Sequence, residues 1–477
     1  MGNTPGSDRP SSAVSRRGAL AGLAAGVGAL ALGMPQAMAA GPGGAPHARA
    51  EEGPAPGAMK LFADPGFNFA GLLALGAAGM RASEVGEVLT AVNAVNAAGL
   101  SEQSYTDTFR EWGKRLGEAP PAPGGKGGKP APETERFRAL RSSQYYAQAL
   151  FYVLGTSRPA DEKDVYLAAR GAWDTFAGLC RPAAVRAQVP YGVHRLPVWF
   201  FRPEGPERRR RTVILTNGSD GQNLDMWTYG VSAALDRGWN AVVYDGPGQG
   251  ELLFVHEVPF TTRWEQVVTP VVDWLVRRPD VDPGRIALTG LSMGGNLAPR
   301  AAAFEHRIAA VVAEPGCLSP WLGFDAELRD IVTPDKAETN RVWNEDVVPE
   351  LTPQLAFTVK KRFEIFSTEA LRQARAGKVL TDLWTPAQVA IGLDITDVVP
   401  RIKAPTLVLD YDDEQFYPGQ PRKMFDLLRA PKEYFRFTRA TGAQLHCSPM
   451  APQQHCEVVF DWLERTLREP ALQEPAG

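Results

Sequence analysis

The segment at residues 286–295 constrains the fold of this chain more than any other, and it reads Ile-Ala-Leu-Thr-Gly-Leu-Ser-Met-Gly-Gly. Its first four residues favour a strand, and the residues that follow it are compatible with a helix. Gly290, Ser292 and Gly294 match G-x-S-x-G, a strained strand-to-helix turn that projects a serine hydroxyl from the end of a sheet. We therefore predict a nucleophilic serine at Ser292, against the alternative of a Gly-rich connection with a bystander serine.

Short apolar runs alternate with helical patterns on both sides of this turn. They occupy residues 197–201, 212–216, 241–244, 286–288, 308–312 and 406–409. Runs of this kind are typical of parallel strands that are buried on both faces. The sequence therefore predicts an α/β fold, a mostly parallel sheet flanked by helices. Residues 317–395 contain helical patterns with Trp and Phe but no such run, which predicts a helical lid inserted into the sheet.

The residues before the first apolar run are helical in pattern. Apolar side chains recur at helical spacing over residues 82–98, 102–116, 132–154 and 161–179, whereas the Pro- and Gly-rich residues 120–130 predict a surface loop. The predicted division is an N-terminal helical domain at 60–185, a first part of the α/β core at 186–316, the lid at 317–395 and a second part of the core at 396–470.

The first 59 residues have the composition of a targeting segment and a linker. Arg16 and Arg17 precede an Ala-, Gly- and Leu-rich run, and small residues resembling a cleavage site follow near Ala40. This pattern predicts a twin-arginine export signal at residues 1–40 and a flexible linker at 41–59. A secreted protein is the consequence, or a cytoplasmic one if the signal is not functional.

Charge and cysteine content narrow the class of partner. The formal net charge of -3 at pH 7 gives no basic face for nucleic acid, so we expect no nucleic-acid partner. The four cysteines lack metal-ligand spacing, so we expect no metal site. Cys447 and Cys456 leave a disulfide open beside the alternative of free buried thiols. We expect no stable membrane span after signal cleavage, and the oligomeric state stays open.

A serine nucleophile needs a base, and in a fold of this type the chain order is serine, acid, histidine. His446 follows the predicted last strand at residues 434–437, in a loop that can hang over the sheet edge. We therefore predict that His446 is the base. His455 is the second candidate, although it stands at the predicted start of the terminal helix at residues 456–467.

The acid and the oxyanion donors are predicted from the ends of two strands. Four acidic residues end or follow the run at residues 406–409: Asp410, Asp412, Asp413 and Glu414. Spacing to the next helix start favours Glu414, with Asp413 second. Asn217-Gly218-Ser219 follows another strand, so we predict that the amides of Ser219 and Met293 form the oxyanion hole.

Together these motifs resemble the α/β-hydrolase superfamily. Asp245-Gly-Pro-Gly-Gln-Gly250, Asn217-Gly-Ser219 and Gly442-Ala-Gln-Leu-His-Cys447 narrow the resemblance to a branch with an N-terminal helical domain. That branch includes FrsA-like esterases, 2,6-dihydroxypseudooxynicotine hydrolase and fungal polyketide-shortening hydrolases, and the resemblance covers residues 61–467. It implies a Ser-Asp-His triad that uses no cofactor. Glu414 departs from the usual Asp, and an export signal is unexpected in the branch.

The resemblance implies hydrolysis of an ester, or of a carbon-carbon bond next to a ketone, in a small aromatic or polyketide-like substrate. Two alternatives remain at this stage. One is an exported aminopeptidase-like serine hydrolase, and the other is a non-catalytic binding protein with the same fold. The substrate itself and the choice between ester and carbon-carbon chemistry are not encoded in the triad, because both reactions use the same acyl-enzyme.

Overall fold

The computed structural model describes residues 60–118 and 130–468 of the chain. The predicted export signal and linker, and all but one residue of the loop predicted at 120–130, lie outside these ranges. No helix in the described residues is both long and apolar enough to cross a membrane.

Within the described residues, eight strands form one sheet in the order β1-β2-β4-β3-β5-β6-β7-β8. The strands are β1 Val185–Tyr191, β2 His194–Phe201, β3 Arg210–Thr216, β4 Asn240–Tyr244, β5 Val281–Leu291, β6 Ile308–Glu314, β7 Thr406–Tyr411 and β8 Lys432–Phe437. All pairings from β4 to β8 across the sheet are parallel, and the α/β prediction is thereby confirmed.

The direction of β2 differs from the prediction. This strand runs antiparallel to both of its neighbours, β1 and β4. A tight turn at Gly192, whose φ is 54°, joins β1 to β2 as a hairpin. An apolar run shows that a strand is buried on both faces but carries no information about its direction, so the parallel prediction for residues 197–201 was wrong.

Alternate residues of the central strands face opposite layers of the core. Ile214 and Leu288 contribute to the apolar cluster on one face, and Val213 and Ala287 to the cluster on the other. Helices cover both faces, as a two-sided parallel sheet requires. Those of the core are α6 Asn223–Met226, α7 Ser232–Asp236, α8 Gly250–Phe254, α9 Glu265–Leu275, α10 Gly294–Ala302, α16 Gln420–Leu427 and α17 Pro452–Thr466.

Five helices precede the sheet. They are α1 Pro65–Gly76, α2 Val85–Ala98, α3 Glu102–Gly117, α4 Pro132–Tyr152 and α5 Glu162–Leu179. Four match the predicted segments within a few residues, but α1 had no prediction. Asp64 caps it by accepting hydrogen bonds from the amides of Gly66 and Phe67. Its residues are almost all apolar, so the sequence lacks the polar face that marks a surface helix.

A buried polar network fastens the helical region to the core. Arg170 of α5 contacts the carboxylates of Asp245 and Glu251 at 3.5 and 2.8 Å. The hydroxyl of Tyr166 lies 3.3 Å from Asp245, which also accepts a hydrogen bond from the amide of Glu251. Asp245 opens the loop after β4, so this helix is attached directly to the edge of the sheet that carries the predicted site.

The insertion between β6 and β7 is helical, and its two ends meet. Its helices are α11 Ala326–Asp330, α12 Lys336–Val342, α13 Pro353–Phe363, α14 Thr368–Arg375 and α15 Trp384–Gly392. The side-chain amide of Asn296, in α10, donates to the carbonyls of Leu318 and Leu393 at 3.0 and 2.9 Å. The helix that follows the predicted serine turn at residues 290–294, the nucleophile elbow, therefore holds both ends of the insertion.

Residues 282–284 read Asp-Pro-Gly but lie inside β5, which begins at Val281. One local prediction needs correction. The terminal helix begins at Pro452 rather than at residue 456, so His455 lies within its first turn. All four cysteines are free thiols, and a disulfide between Cys447 and Cys456 is absent from the described residues.

Candidate active site

Ser292 occupies a tight turn between β5 and α10. Its φ is 58°, a left-handed conformation that is uncommon for a residue with a side chain and that marks a strained turn. The Ser292 amide donates to the Glu314 carbonyl at the end of β6, at 2.7 Å. A Cβ at Gly290 would lie 1.9 Å from the carbonyl oxygen of Gly294. Glycine is required at residue 290 because the chain folds back onto itself there.

His446 lies in the loop between β8 and α17, with its ring over the serine. Its Nε2 is 2.9 Å from the Ser292 hydroxyl. The amide of His446 donates to the side-chain oxygen of Gln415 at 3.0 Å, which fixes the backbone of this loop. Only 4% of the side chain is exposed. The imidazole is thus held in the position from which it could accept the serine proton.

Glu414 lies on the other side of the imidazole. Both of its carboxylate oxygens approach His446 Nδ1, at 2.8 and 2.9 Å. One of them also accepts hydrogen bonds from the amides of Phe416 and Tyr417. The carboxylate is 3% exposed, so its place is set by these donors rather than by solvent. The structure therefore brings the predicted serine, histidine and glutamate into one continuous chain of contacts.

The other acidic candidates are engaged elsewhere. Asp413 forms an ion pair with Arg439, whose Nε lies 3.1 Å from its carboxylate. Asp412 pairs with Arg436 at 3.0 Å, and Asp410 accepts a hydrogen bond from the Tyr434 hydroxyl. In the described structure only Glu414 of the four acidic residues contacts the imidazole of His446.

His455, the second candidate base, is separate from the serine. Its Nε2 lies 2.8 Å from the carboxylate of Glu314, and both side chains are fully buried. Glu314 ends β6, and its carbonyl accepts a hydrogen bond from the Ser292 amide. The pair therefore helps to fix the strand end that contacts the elbow. We interpret His455 as a structural group of the sheet edge.

The two predicted oxyanion donors lie beside the elbow. Within the described residues, the amides of Ser219 and Met293 make no hydrogen bond to another protein group, and both residues line the same cavity. A Cβ at Gly218 would lie 2.8 Å from the Cβ of Ser292, which shows how closely the loop after β3 approaches the nucleophile. The structure places both residues next to Ser292.

Gln249 has a role that sequence reasoning missed. Its side-chain amide donates to the carbonyls of Asn217 and Gly218 at 2.6 and 3.0 Å, and its oxygen accepts from the amide of Gly246. The loop after β4 thus holds the loop after β3 at the elbow. The Asp245–Gly250 motif contained this signal, but the contact joins loops about 30 residues apart, which spacing alone does not reveal.

The cavity at the site is small, and four of its ten lining residues are aromatic. Its volume is about 40 Å³. Phe324, Phe366, Phe416 and Tyr417 line it, and the Phe416 ring centroid lies 4.5 Å from that of His446. Phe69, from the unpredicted helix α1, approaches the same imidazole at 6.4 Å. The N-terminal region and the insertion both close over the predicted triad.

One charged side chain reaches this cavity. Arg362, from the insertion helix α13, lines it and contacts Asp220 in the loop after β3 at 2.7 Å. Burial alone would raise the pKa of Asp220, but Arg362 and Lys361 hold it below its usual value. Asp220 is therefore a carboxylate next to the predicted oxyanion donor. In the described residues, no group of three or more His, Cys, Asp or Glu side chains could hold a metal ion.

A mostly parallel sheet with a serine turn after its fifth strand and helices on both faces defines an α/β-hydrolase fold. The alpha/beta hydrolase family model matches residues 213–462, about half of the chain. The chain belongs to this family.

Its relatives are fungal and bacterial hydrolases. The 20-hydroxy-prefusarin hydrolase of Gibberella moniliformis is 29% identical over 54% of this chain and 62% of its own length. The alpha/beta hydrolase psoB of Aspergillus fumigatus is 32% identical over 55% of this chain and 61% of its own. The 2,6-dihydropseudooxynicotine hydrolase of Paenarthrobacter nicotinovorans is 33% identical over 33% and 40%. The chain thus spans less than two thirds of each of these relatives.

Among solved structures, 2,6-dihydroxy-pseudo-oxynicotine hydrolase has a TM-score of 0.55 at 20% identity, covering 83% of this chain and 95% of the other. At this identity the likeness shows a shared fold. The family resemblance predicted from the sequence motifs is therefore confirmed, and with it the α/β-hydrolase architecture.

Proposed function

We propose that this protein is a serine hydrolase in which Ser292 forms an acyl-enzyme with an ester or with a ketone whose adjacent carbon-carbon bond is cleaved. The observation that carries the proposal is the unbroken series of contacts from the Ser292 hydroxyl through both nitrogens of His446 to the carboxylate of Glu414. A buried imidazole that bridges a hydroxyl and a carboxylate has the arrangement required of a general base.

In the proposed mechanism, His446 Nε2 takes the proton of Ser292 as the hydroxyl oxygen attacks the substrate carbonyl. Glu414 keeps the proton of the neutral imidazole on Nδ1, so that Nε2 is free to accept, and it stabilises the imidazolium that forms. The amides of Ser219 and Met293 donate to the oxyanion. Collapse of the tetrahedral intermediate expels the leaving group, His446 returns the proton, and water then releases the acyl group by the same steps.

The leaving group distinguishes the two chemistries. In ester hydrolysis an alkoxide leaves and takes the proton from His446. In carbon-carbon cleavage an enolate leaves, so the substrate must carry a carbonyl that stabilises the departing carbanion. The names of two relatives, the hydrolases of 20-hydroxy-prefusarin and 2,6-dihydropseudooxynicotine, support a small aromatic or polyketide-like substrate for this chain. The aromatic lining of the cavity is complementary to such a molecule.

The test is turnover of a panel of p-nitrophenyl esters and aryl β-diketones by the wild type and by Ser292→Ala. Ser157→Ala is the matched control, because this serine is exposed, its hydroxyl bonds to Gln103 and it is not among the residues that line the cavity. Diketone cleavage that is lost in Ser292→Ala and kept in Ser157→Ala would establish a carbon-carbon hydrolase, and ester turnover alone an esterase. Full activity of Ser292→Ala would refute the proposal.

Export through the twin-arginine route is a separate proposal, which rests on Arg16, Arg17 and the apolar run behind them. It is tested by the location of the full chain in a bacterium that has this pathway. Replacing both arginines by lysine is expected to keep the protein in the cytoplasm, and secretion that survives the replacement would contradict it.

A further inference from the structure

We propose that Arg362 is a positioning residue. Through its contact with Asp220 it holds the loop after β3, residues 217–220 (the oxyanion loop), in the position that catalysis requires. It does so only while helix α13 of the insertion is packed against the core. The inference rests on the proposed serine hydrolase function and deepens it. It assigns to the insertion a part in assembling the catalytic site, beyond covering it.

The residue that bears the proposed oxyanion amide is fixed through its own side chain. The Ser219 hydroxyl donates to the Asp220 carboxylate at 2.8 Å. The same carboxylate oxygen receives Arg362 Nη1 at 2.7 Å. Two charge-assisted contacts therefore converge on one atom, and such contacts are shorter and stronger than those between neutral groups. Movement of Asp220 would displace Ser219 and the direction of its amide.

The guanidinium also faces the histidine side of the site. Arg362 lies 5.6 Å from the Phe416 ring centroid, and Phe416 packs on His446. Its side chain is 11% exposed, so both contacts are made out of bulk water, where ionic interactions are less screened. Arg362, a side chain of the insertion, thus lies next to both the oxyanion loop and Phe416, the ring that packs on the imidazole of His446.

The position of Arg362 depends on how helix α13 is packed. Lys360 donates to the carbonyl of Leu154 in the N-terminal region at 2.7 Å. Lys361 pairs with the fully buried Glu364 at 2.7 Å. Three consecutive basic residues of α13 therefore make three different contacts, of which the third is the one to the oxyanion loop. When this helix moves, the contact from Arg362 to Asp220 must break.

A substrate larger than this cavity would need more room, and the inference assigns its entry to a movement of α13. The cavity of about 40 Å³ is far smaller than the roughly 300–1,000 Å³ of ordinary small-molecule sites. Phe324 and Phe366, which close it, belong to the insertion, and Arg362 lies between them in sequence. Opening the cavity therefore withdraws Arg362, and reseating α13 over a bound substrate restores the oxyanion donor. Closure and assembly of the site become one event, so that chemistry begins only after water is excluded.

The experiment measures kcat and KM on the best ester of the panel for Arg362→Met, Asp220→Asn and the double variant. Each single change is expected to lower kcat about tenfold or more, since loss of an oxyanion donor costs about 10²–10³ and displacement costs less. KM is expected to change by less than about threefold, because the lost interaction acts in the transition state. The double variant should be no slower than the slower single variant, because both changes break the same contact.

Arg341→Met is the matched control, because Arg341 is an insertion arginine that pairs only with exposed carboxylates of its own helical segment. Its kcat is expected to equal that of the wild type. Arg362→Lys keeps the charge and should recover part of the loss. It also carries the test if Arg362→Met does not fold, which circular dichroism and thermal unfolding of each variant decide.

Two results would overturn the inference while the proposed function stands. One is a kcat of Arg362→Met within twofold of a Ser292-dependent wild type. The other is a double variant whose loss equals the product of the two single losses. If the wild type itself has no Ser292-dependent turnover, the proposed function fails, and the inference is refuted with it.

Discussion

Replacing Glu414 by glutamine tests whether Glu414 or Asp413, the two acids that the sequence left open, acts on His446. The substitution keeps the shape of the side chain, and the glutamine oxygen can still accept the amides of Phe416 and Tyr417. Its NH₂ group then faces His446 Nδ1 and donates to it. The imidazole proton moves to Nε2, which can no longer accept the proton of Ser292.

The expected loss is large because the wrong tautomer removes the base without removing any residue of the site. A change of this kind lowers kcat by about 10⁴ in a serine triad. That loss corresponds to about 5.5 kcal/mol in the activation barrier, at about 1.4 kcal/mol per factor of ten. Stability should change by about 1 kcal/mol or less, since the hydrogen bonds are replaced rather than deleted.

Asp413→Asn is the matched control, because it removes a neighbouring acid whose partner is the half-exposed Arg439. An exposed ion pair contributes about 0–1 kcal/mol to stability, so the variant should fold. Because Asp413 does not contact His446, we expect its kcat to lie within about twofold of the wild type. The assay is kcat/KM for one p-nitrophenyl ester, measured with each folded variant across the neutral pH range. A Glu414→Gln variant that keeps a tenth of the activity, or an Asp413→Asn variant that loses as much, would refute the reasoning.

Three further changes test the support of the site. Gly290→Ala should destabilise the fold by about 3 kcal/mol, because its Cβ would lie 1.9 Å from the Gly294 oxygen; an unchanged denaturation midpoint would contradict this. Gln249→Leu should lower stability by about 2–4 kcal/mol and lower kcat as well, since two buried carbonyls of the oxyanion loop lose their donor; urea unfolding and ester turnover measure both, and wild-type values would contradict it. Burial raises the pKa of Asp225 to about 6, and the stabilising protonated form is lost as the pH rises through that value. Asp225→Asn should therefore raise the Tm above about pH 7 but not below about pH 4, and an equal gain at both would contradict the raised pKa.

Local signals carried the prediction of the nucleophile turn. The elbow at Ser292 depends on glycines two residues away on each side, and strand and helix patterns border it directly. The order of acid and histidine then followed from the strands that precede them. For these reasons the sequence could place Glu414 and His446 in loops that the fold brings to the same edge as the serine, and the structure joins all three.

Features without local contrast could not be predicted. Helix α1 is apolar on all sides because it is enclosed, so periodicity did not reveal it or the approach of Phe69 to the imidazole. The direction of β2 depends on a hairpin turn and not on its own residues. The contacts of Gln249 and Arg362 join segments that are far apart in the chain, and their roles became visible only with the loops in place.

The central claim is that Ser292 carries the acyl group, and the most direct measurement is the site of covalent labelling by a fluorophosphonate. The folded wild-type protein is incubated with the probe, its intact mass is determined, and the modified peptide is sequenced by mass spectrometry. The account predicts one adduct, located on Ser292, absent from Ser292→Ala and formed much more slowly by His446→Ala. An adduct on another residue, or labelling of Ser292→Ala at the wild-type rate, would contradict it.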